Sequence, residues 1–127
     1  MLHTLNIGGQ NRPILFGNSV YRKLKNDLGI TSLEVCLAVS KADFTHTPDV
    51  IYYALRCGEE FTNSQPGQYT ADQVSLWLDA DPAALKLAMS WFADAIYTST
   101  GNEAPKEEPD TPDESKKKNL TTTIGNP

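Results

Sequence analysis

Long hydrophobic runs are missing from this chain. Its apolar stretches last only a few residues, whereas a helix that crosses a bilayer needs about 20. A basic excess is missing too: 11 Lys and Arg stand against 16 Asp and Glu, for a formal net charge of -5. That balance argues against nucleic acid and anionic membrane surfaces as partners, since both reward clustered cations. Cysteine is scarce. Cys36 and Cys57 lie far apart without a CxxC spacing, which predicts buried free thiols in a reducing compartment. The N-terminal residues carry no basic run followed by an apolar core and a cleavage site, so the expectation is a protein made and kept inside a cell.

The residue sets that enzymes need are also thin. Gly8-Gly9 is followed by neither the spacing nor the Lys-Ser/Thr pair of a phosphate loop, so the doublet reads as a turn. His3 and His46 are well separated and form no HxxxH pattern, which leaves zinc without a ligand set. Ser40, Asp43 and His46 are close in sequence, but no nucleophile elbow supports a triad. Asp81 reads as a helix cap with Asp79 as a solvated neighbour, and Glu59 with Glu60 reads as a solvated face. Arg22, Lys23 and Lys25 make the one compact basic group of the predicted helices, without the aromatic interleaving of a nucleic-acid surface. The expectation is a protein that is not an enzyme and uses no cofactor or metal.

What is present is a pattern of elements. Leu5 and Ile7 share parity before the glycines, and Ile14 and Phe16 share it after them. This predicts a hairpin over residues 2–16 with those four side chains on one face. Pro13 has no N–H to donate and suits an edge or unpaired position, so the hairpin is expected to keep an open edge. Five short helices are predicted next. Val20, Tyr21, Leu24 and Leu28 recur at helical spacing, with Gly29 as terminator. Thr31 with Glu34 forms a capping box before Leu33, Val35, Cys36, Leu37 and Val39. A third helix starts at Thr47-Pro48, carries Ile51, Ala54 and Leu55, and is expected to stop at Gly58. Thr70 with Gln73 caps a fourth helix with Val74, Trp77 and Leu78; Asp81-Pro82 opens a fifth with Leu85, Ala88, Met89, Phe92 and Ile96.

The predicted architecture is therefore mainly α: an N-terminal β-hairpin, about five short helices over residues 1–97, and a C-terminal segment, 98–127. That segment has no aromatic residue, four prolines, an acidic run from Glu107 to Glu114 and then Lys116-Lys117-Lys118. It cannot bury enough surface to offset its ordering entropy and is expected to be disordered. Tyr52, Trp91 and Tyr97 fall beside the main apolar stripes and, with Trp77, are candidates for a protein-binding surface. Leu5, Ile7, Ile14 and Phe16 mark the candidate hairpin edge, through which copies are expected to self-associate.

The order of these pieces resembles a known family. Ile7-Gly8-Gly9-Gln10-Asn11-Arg12-Pro13-Ile14-Leu15-Phe16 runs into a helix ending in Gly29-Ile30-Thr31-Ser32-Leu33. A later helix closes with Leu55-Arg56-Cys57-Gly58, and Tyr69-Thr70-Ala71-Asp72-Gln73-Val74 leads to Trp77-Leu78-Asp79 and a final helix. Over residues 1–97 this resembles the tail assembly chaperones of long-tailed bacteriophages and prophages. The resemblance implies a non-enzymatic factor of the host cell cytoplasm, absent from the mature virion. Such a factor binds the tape measure protein, keeps it soluble, and gives way as tail tube protein, a further candidate partner, polymerises around it. The resemblance also implies a longer form made by ribosomal frameshifting, for which Lys116-Lys117-Lys118-Asn119 would be a suitable place. Two other readings are carried forward: a head-to-tail joining or tail completion protein that stays in the particle, and a helical protein-interaction adaptor.

Overall fold

A computed structural model of the chain describes residues 1–99. Two antiparallel strands, β1 (Leu2–Ile7) and β2 (Gln10–Leu15), pair with Leu2 opposite Leu15 and Ile7 opposite Gln10. Gly8 (φ 63°) and Gly9 (φ 80°) form the two-residue turn between them. Positive φ at both central positions gives the turn whose twist matches the strands, and glycine adopts it without a Cβ penalty. The helices follow in order: α1 (Asn18–Lys23), α2 (Ser32–Ser40), α3 (Thr47–Phe61), α4 (Ala71–Ala80) and α5 (Pro82–Ser99). The fold is thus mainly helical behind an N-terminal hairpin, as the periodicities predict.

Local chemistry accounts for most boundaries. Both capping boxes form: Thr31 Oγ1 accepts from the Glu34 N–H at 3.1 Å, and Thr70 Oγ1 accepts from the Gln73 N–H at 3.2 Å. In return Glu34 and Gln73 accept from the Thr31 and Thr70 amides at 2.7 and 2.8 Å. Asp81 Oδ1 accepts from the Ala84 N–H at 3.2 Å and caps α5. After α1 the chain widens into a π-helical turn, Leu24–Leu28, which closes on Gly29 at φ 71°. Helix α5 runs through Thr98 and Ser99, two residues beyond the boundary expected at Tyr97. The rest of the segment expected to be disordered, residues 100–127, lies outside the described residues.

One boundary corrects the sequence reading. Helix α3 does not stop at Gly58; it continues to Phe61, and Asn63 (φ 58°) supplies the left-handed residue after it. Gly58 is there for another reason. A Cβ placed on it would lie 2.4 Å from the Pro13 carbonyl oxygen and 2.7 Å from the Ile14 nitrogen. The glycine lets the α3 backbone come up to the backbone of β2, a close approach rather than a terminus.

The core lies between the hairpin and the helices. Leu5, Ile7, Ile14 and Phe16 are fully buried with Val20, Leu24, Val35, Val50, Ile51, Leu55, Val74 and Phe92. These four hairpin residues do share one face, but they are not an exposed edge. Covering them removes apolar area from water at roughly 25 cal/mol per Å², and the helices supply that cover, as a two-stranded ribbon requires.

Candidate protein-docking surface

Two of the four aromatic candidates are brought together. Tyr69 sits between them, with ring centroids 5.9 Å from Tyr52 and 5.4 Å from Trp77. Arg12, on the core face of β2, places its guanidinium 4.7 Å from the Trp77 ring and 5.1 Å from Tyr69; Arg56 lies 4.2 Å from Tyr69. Trp77 also closes over the turn, since a Cβ at Gly8 would meet its ring at 2.6 Å. Trp91 is elsewhere, stacked on His3 with centroids 4.2 Å apart and planes within 4°. Tyr97 lies further along α5 and is exposed. Tyr52, Trp77 and Trp91 are half-buried and used in intramolecular stacks.

Beneath the Tyr69 cluster is a charged staple that sequence reasoning missed. Glu59, read as solvated, is buried. Its Oε2 accepts from the Tyr69 hydroxyl at 2.7 Å and the Gly67 N–H at 3.1 Å, and its Oε1 accepts from Arg56 Nη1 at 3.0 Å. Arg56 also donates to the carbonyls of Gly67 at 2.8 Å and Tyr69 at 2.9 Å. A buried carboxylate is tolerable only with such partners. The network ties the 62–69 loop to α3; Arg56 and Glu59 share one helix face at i, i+3, the one sequence signal that was available.

No catalytic arrangement assembles from the sequence candidates. The Asp43 carboxylate accepts from Thr45 Oγ1 at 2.6 Å and from the Thr45 N–H at 3.1 Å, which lowers its pKa, while Ser40 Oγ donates to the Leu37 carbonyl at 2.6 Å. Ser40, Asp43 and His46 therefore form no relay. Burial pushes the thiols of Cys36 and Cys57 up, the direction that makes them less reactive, and both are free. Arg22 and Lys23 line a polar recess of about 260 Å³ with Ser19, Asn26 and Glu60. Among the described residues no cluster of His, Cys, Asp and Glu could hold a metal ion, and no helix is long and apolar enough to cross a membrane.

The surface that stands out lies on α2 and its neighbours. Helix α2 buries only Val35; Leu33 (62% exposed) and Leu37 (53%) project from it one turn apart. Beside it is an apolar groove of about 270 Å³ lined by Val39 and Phe44 on one side and by Pro82, Leu85, Lys86 and Met89 of the α5 start on the other. Phe44 is itself half exposed. Leu33 and Leu37 lie on the opposite side of α2 from Val35 and Val39, so the helix presents apolar residues to solvent as well as to the groove, and uncovered apolar residues of this kind on a small domain are the physical mark of a contact surface. The sequence shows these residues at helical spacing, but the pattern alone does not tell a buried stripe from an uncovered one. Comparisons with protein-family models, curated proteins and solved structures return no match.

Proposed function

We propose that this protein is a tail assembly chaperone that binds the tape measure protein and keeps it soluble during phage tail assembly, without catalysis. The observation that carries the reading is the apolar groove at Val39, Phe44, Leu85 and Met89, with Leu33 and Leu37 left uncovered on the far side of α2. An amphipathic helix docks by laying its apolar side chains into a groove of this kind, and a long helical client offers many such segments. Weak contacts repeated over many copies hold such a client and still release it when tube protein arrives. The order of hairpin, capped helices and final helix supports the same reading through the family resemblance. The deciding experiment is co-expression with the tape measure protein of the same tail-gene cluster. The client stays in the soluble fraction when this protein is present and precipitates without it; precipitation in both cases overturns the proposal. Mass spectrometry of purified particles separates the chaperone, which is absent from them, from a joining protein, which is retained.

A further inference from the structure

Helix α2 carries an apolar ridge on one side and a wall of the groove on the other. Leu33 and Leu37 form the ridge, one turn or about 6 Å apart along the axis, both exposed and turned away from the groove that Val39 lines. The opposite wall is Pro82, Leu85, Lys86 and Met89, the i, i+3, i+4 and i+7 positions of one face of α5, so the groove runs along two turns, about 10 Å. A cavity of about 150 Å³ holds a benzene molecule; a groove of about 270 Å³ therefore has room for two side chains of leucine size. Length and volume both match the ridge. The charges match as well. Glu34 stands beside Leu33 and is exposed, and Lys86, also exposed, is the charged side chain among the groove-lining residues. Lys41 is two turns from Glu34, about 10 Å along α2, so a contact that brings Glu34 to Lys86 keeps the two lysines about a Debye length apart.

We propose that, in the absence of a client, the groove takes the Leu33 and Leu37 ridge of a second copy of this chain. It is the same groove to which a client helix is assigned above, so the two occupants exclude each other; the self-contact itself rests on no client. Docking covers both uncovered apolar surfaces at once. Ridge and groove face opposite ways on one helix, so a copy cannot engage a single partner through both. The contact is therefore heterologous: each copy gives its ridge to one neighbour and takes the ridge of another, which builds chains or a ring rather than a two-fold dimer. Self-association in this arrangement uses α2 and the start of α5, not Leu5, Ile7, Ile14 and Phe16, which are buried. Two leucines are far short of the roughly 1,200 Å² of a stable interface, so the contact is weak, with a Kd of about 0.1 to 1 mM. A contact of that strength keeps the groove covered at high concentration and yields by mass action to a tighter occupant.

The test is sedimentation equilibrium of the full-length protein alone, from about 0.02 to 2 mM. The weight-average mass climbs to more than twice that of the monomer across this range. Two variants each abolish the climb: Leu33→Gln/Leu37→Gln, which lacks the ridge, and Phe44→Gln/Lys86→Glu, which damages the groove and repels Glu34. All four positions are exposed, so both proteins melt within a few degrees of the parent; a groove variant that fails its melt is replaced by Lys86→Glu alone. Mixed together, the two variants form a one-to-one pair and nothing larger, because the intact ridge of one enters the intact groove of the other. A parent that stays monomeric or stops at a dimer overturns the proposal. So does a mixture that stays monomeric, or a single variant that assembles as the parent does. No client is present in these measurements, so their failure leaves the client reading standing, and a failed co-expression leaves this one standing.

Discussion

The Tyr69 hydroxyl donates to Glu59 Oε2 at 2.7 Å, a bond in which both residues are buried. A hydrogen bond to a charged acceptor contributes about 1.5–3 kcal/mol. Tyr69→Phe therefore destabilises the fold by about 2 kcal/mol, leaving Oε2 with the Gly67 amide alone. Glu59→Ala costs more, about 3 kcal/mol, because it strands the Tyr69 hydroxyl and the Gly67 amide and removes the counter-charge of Arg56, which keeps only its carbonyl partners. The figure is kept at the low end of that range because the Arg56 side chain is 24% exposed and water screens it. Urea unfolding of the two variants checks both the size and the order.

The same burial sets an alkaline limit. Burial, with bonding to Asp27, pushes the Tyr53 hydroxyl up to about 12, and burial with bonding to Glu59 pushes Tyr69 up further. Unfolded tyrosine titrates near pH 10. Above that pH the folded chain holds protons that the unfolded chain has lost, so stability falls as pH rises. The raised thiols of Cys36 and Cys57 begin the decline of the urea midpoint above about pH 8.5, and the tyrosines steepen it beyond about pH 10, with the contribution of Tyr53 gone by about pH 12. A Tyr53→Phe/Tyr69→Phe protein shows a shallower decline; an unchanged slope rules out these two groups.

Gly58 and Gly17 make opposite predictions for the same substitution. Alanine favours a helix interior over glycine by about 1 kcal/mol, but at Gly58 its Cβ would overlap the Pro13 backbone. Overpacking against backbone that cannot swing aside costs about 3 kcal/mol, so the clash wins and Gly58→Ala loses about 2 kcal/mol net. Gly17 is extended at φ 168° and has open space around it. Gly17→Ala stays within about 0.5 kcal/mol of the parent. Thermal melts of the pair separate a packing role for Gly58 from a general intolerance of glycine replacement.

Gly58 also shows where sequence reading has its limit. Elements set by neighbouring residues were legible: the Gly8-Gly9 turn, both capping boxes, Asp81 as a cap, and the parity that buries Leu5, Ile7, Ile14 and Phe16. Features set by distant residues were not. A glycine that ends a helix and one that admits a strand look alike until Pro13 is seen beside it. Glu59 looks solvated until the loop at Gly67 and Tyr69 folds over it. The half-exposed aromatics Trp77 and Trp91 stack on Arg12 and His3, while Leu33 and Leu37, assigned to an apolar stripe, are left uncovered.

That reversal defines the last prediction. If Leu33, Leu37 and Phe44 serve a partner, replacing them leaves the isolated fold intact and removes the contact. Glutamine is the suitable replacement on α2 because its helix propensity nearly equals that of leucine, and exposed positions of this kind shift stability by about 0.5 kcal/mol or less each. The Leu33→Gln/Leu37→Gln/Phe44→Gln protein therefore melts within a few degrees of the parent and binds less of a hydrophobic dye. In co-expression it leaves the tape measure protein insoluble. Trp77→Phe gives the converse outcome, because Trp77 packs on Gly8 and Arg12: lower stability, with client solubility retained at temperatures where the variant is folded. A triple variant that still solubilises the client moves the contact away from α2.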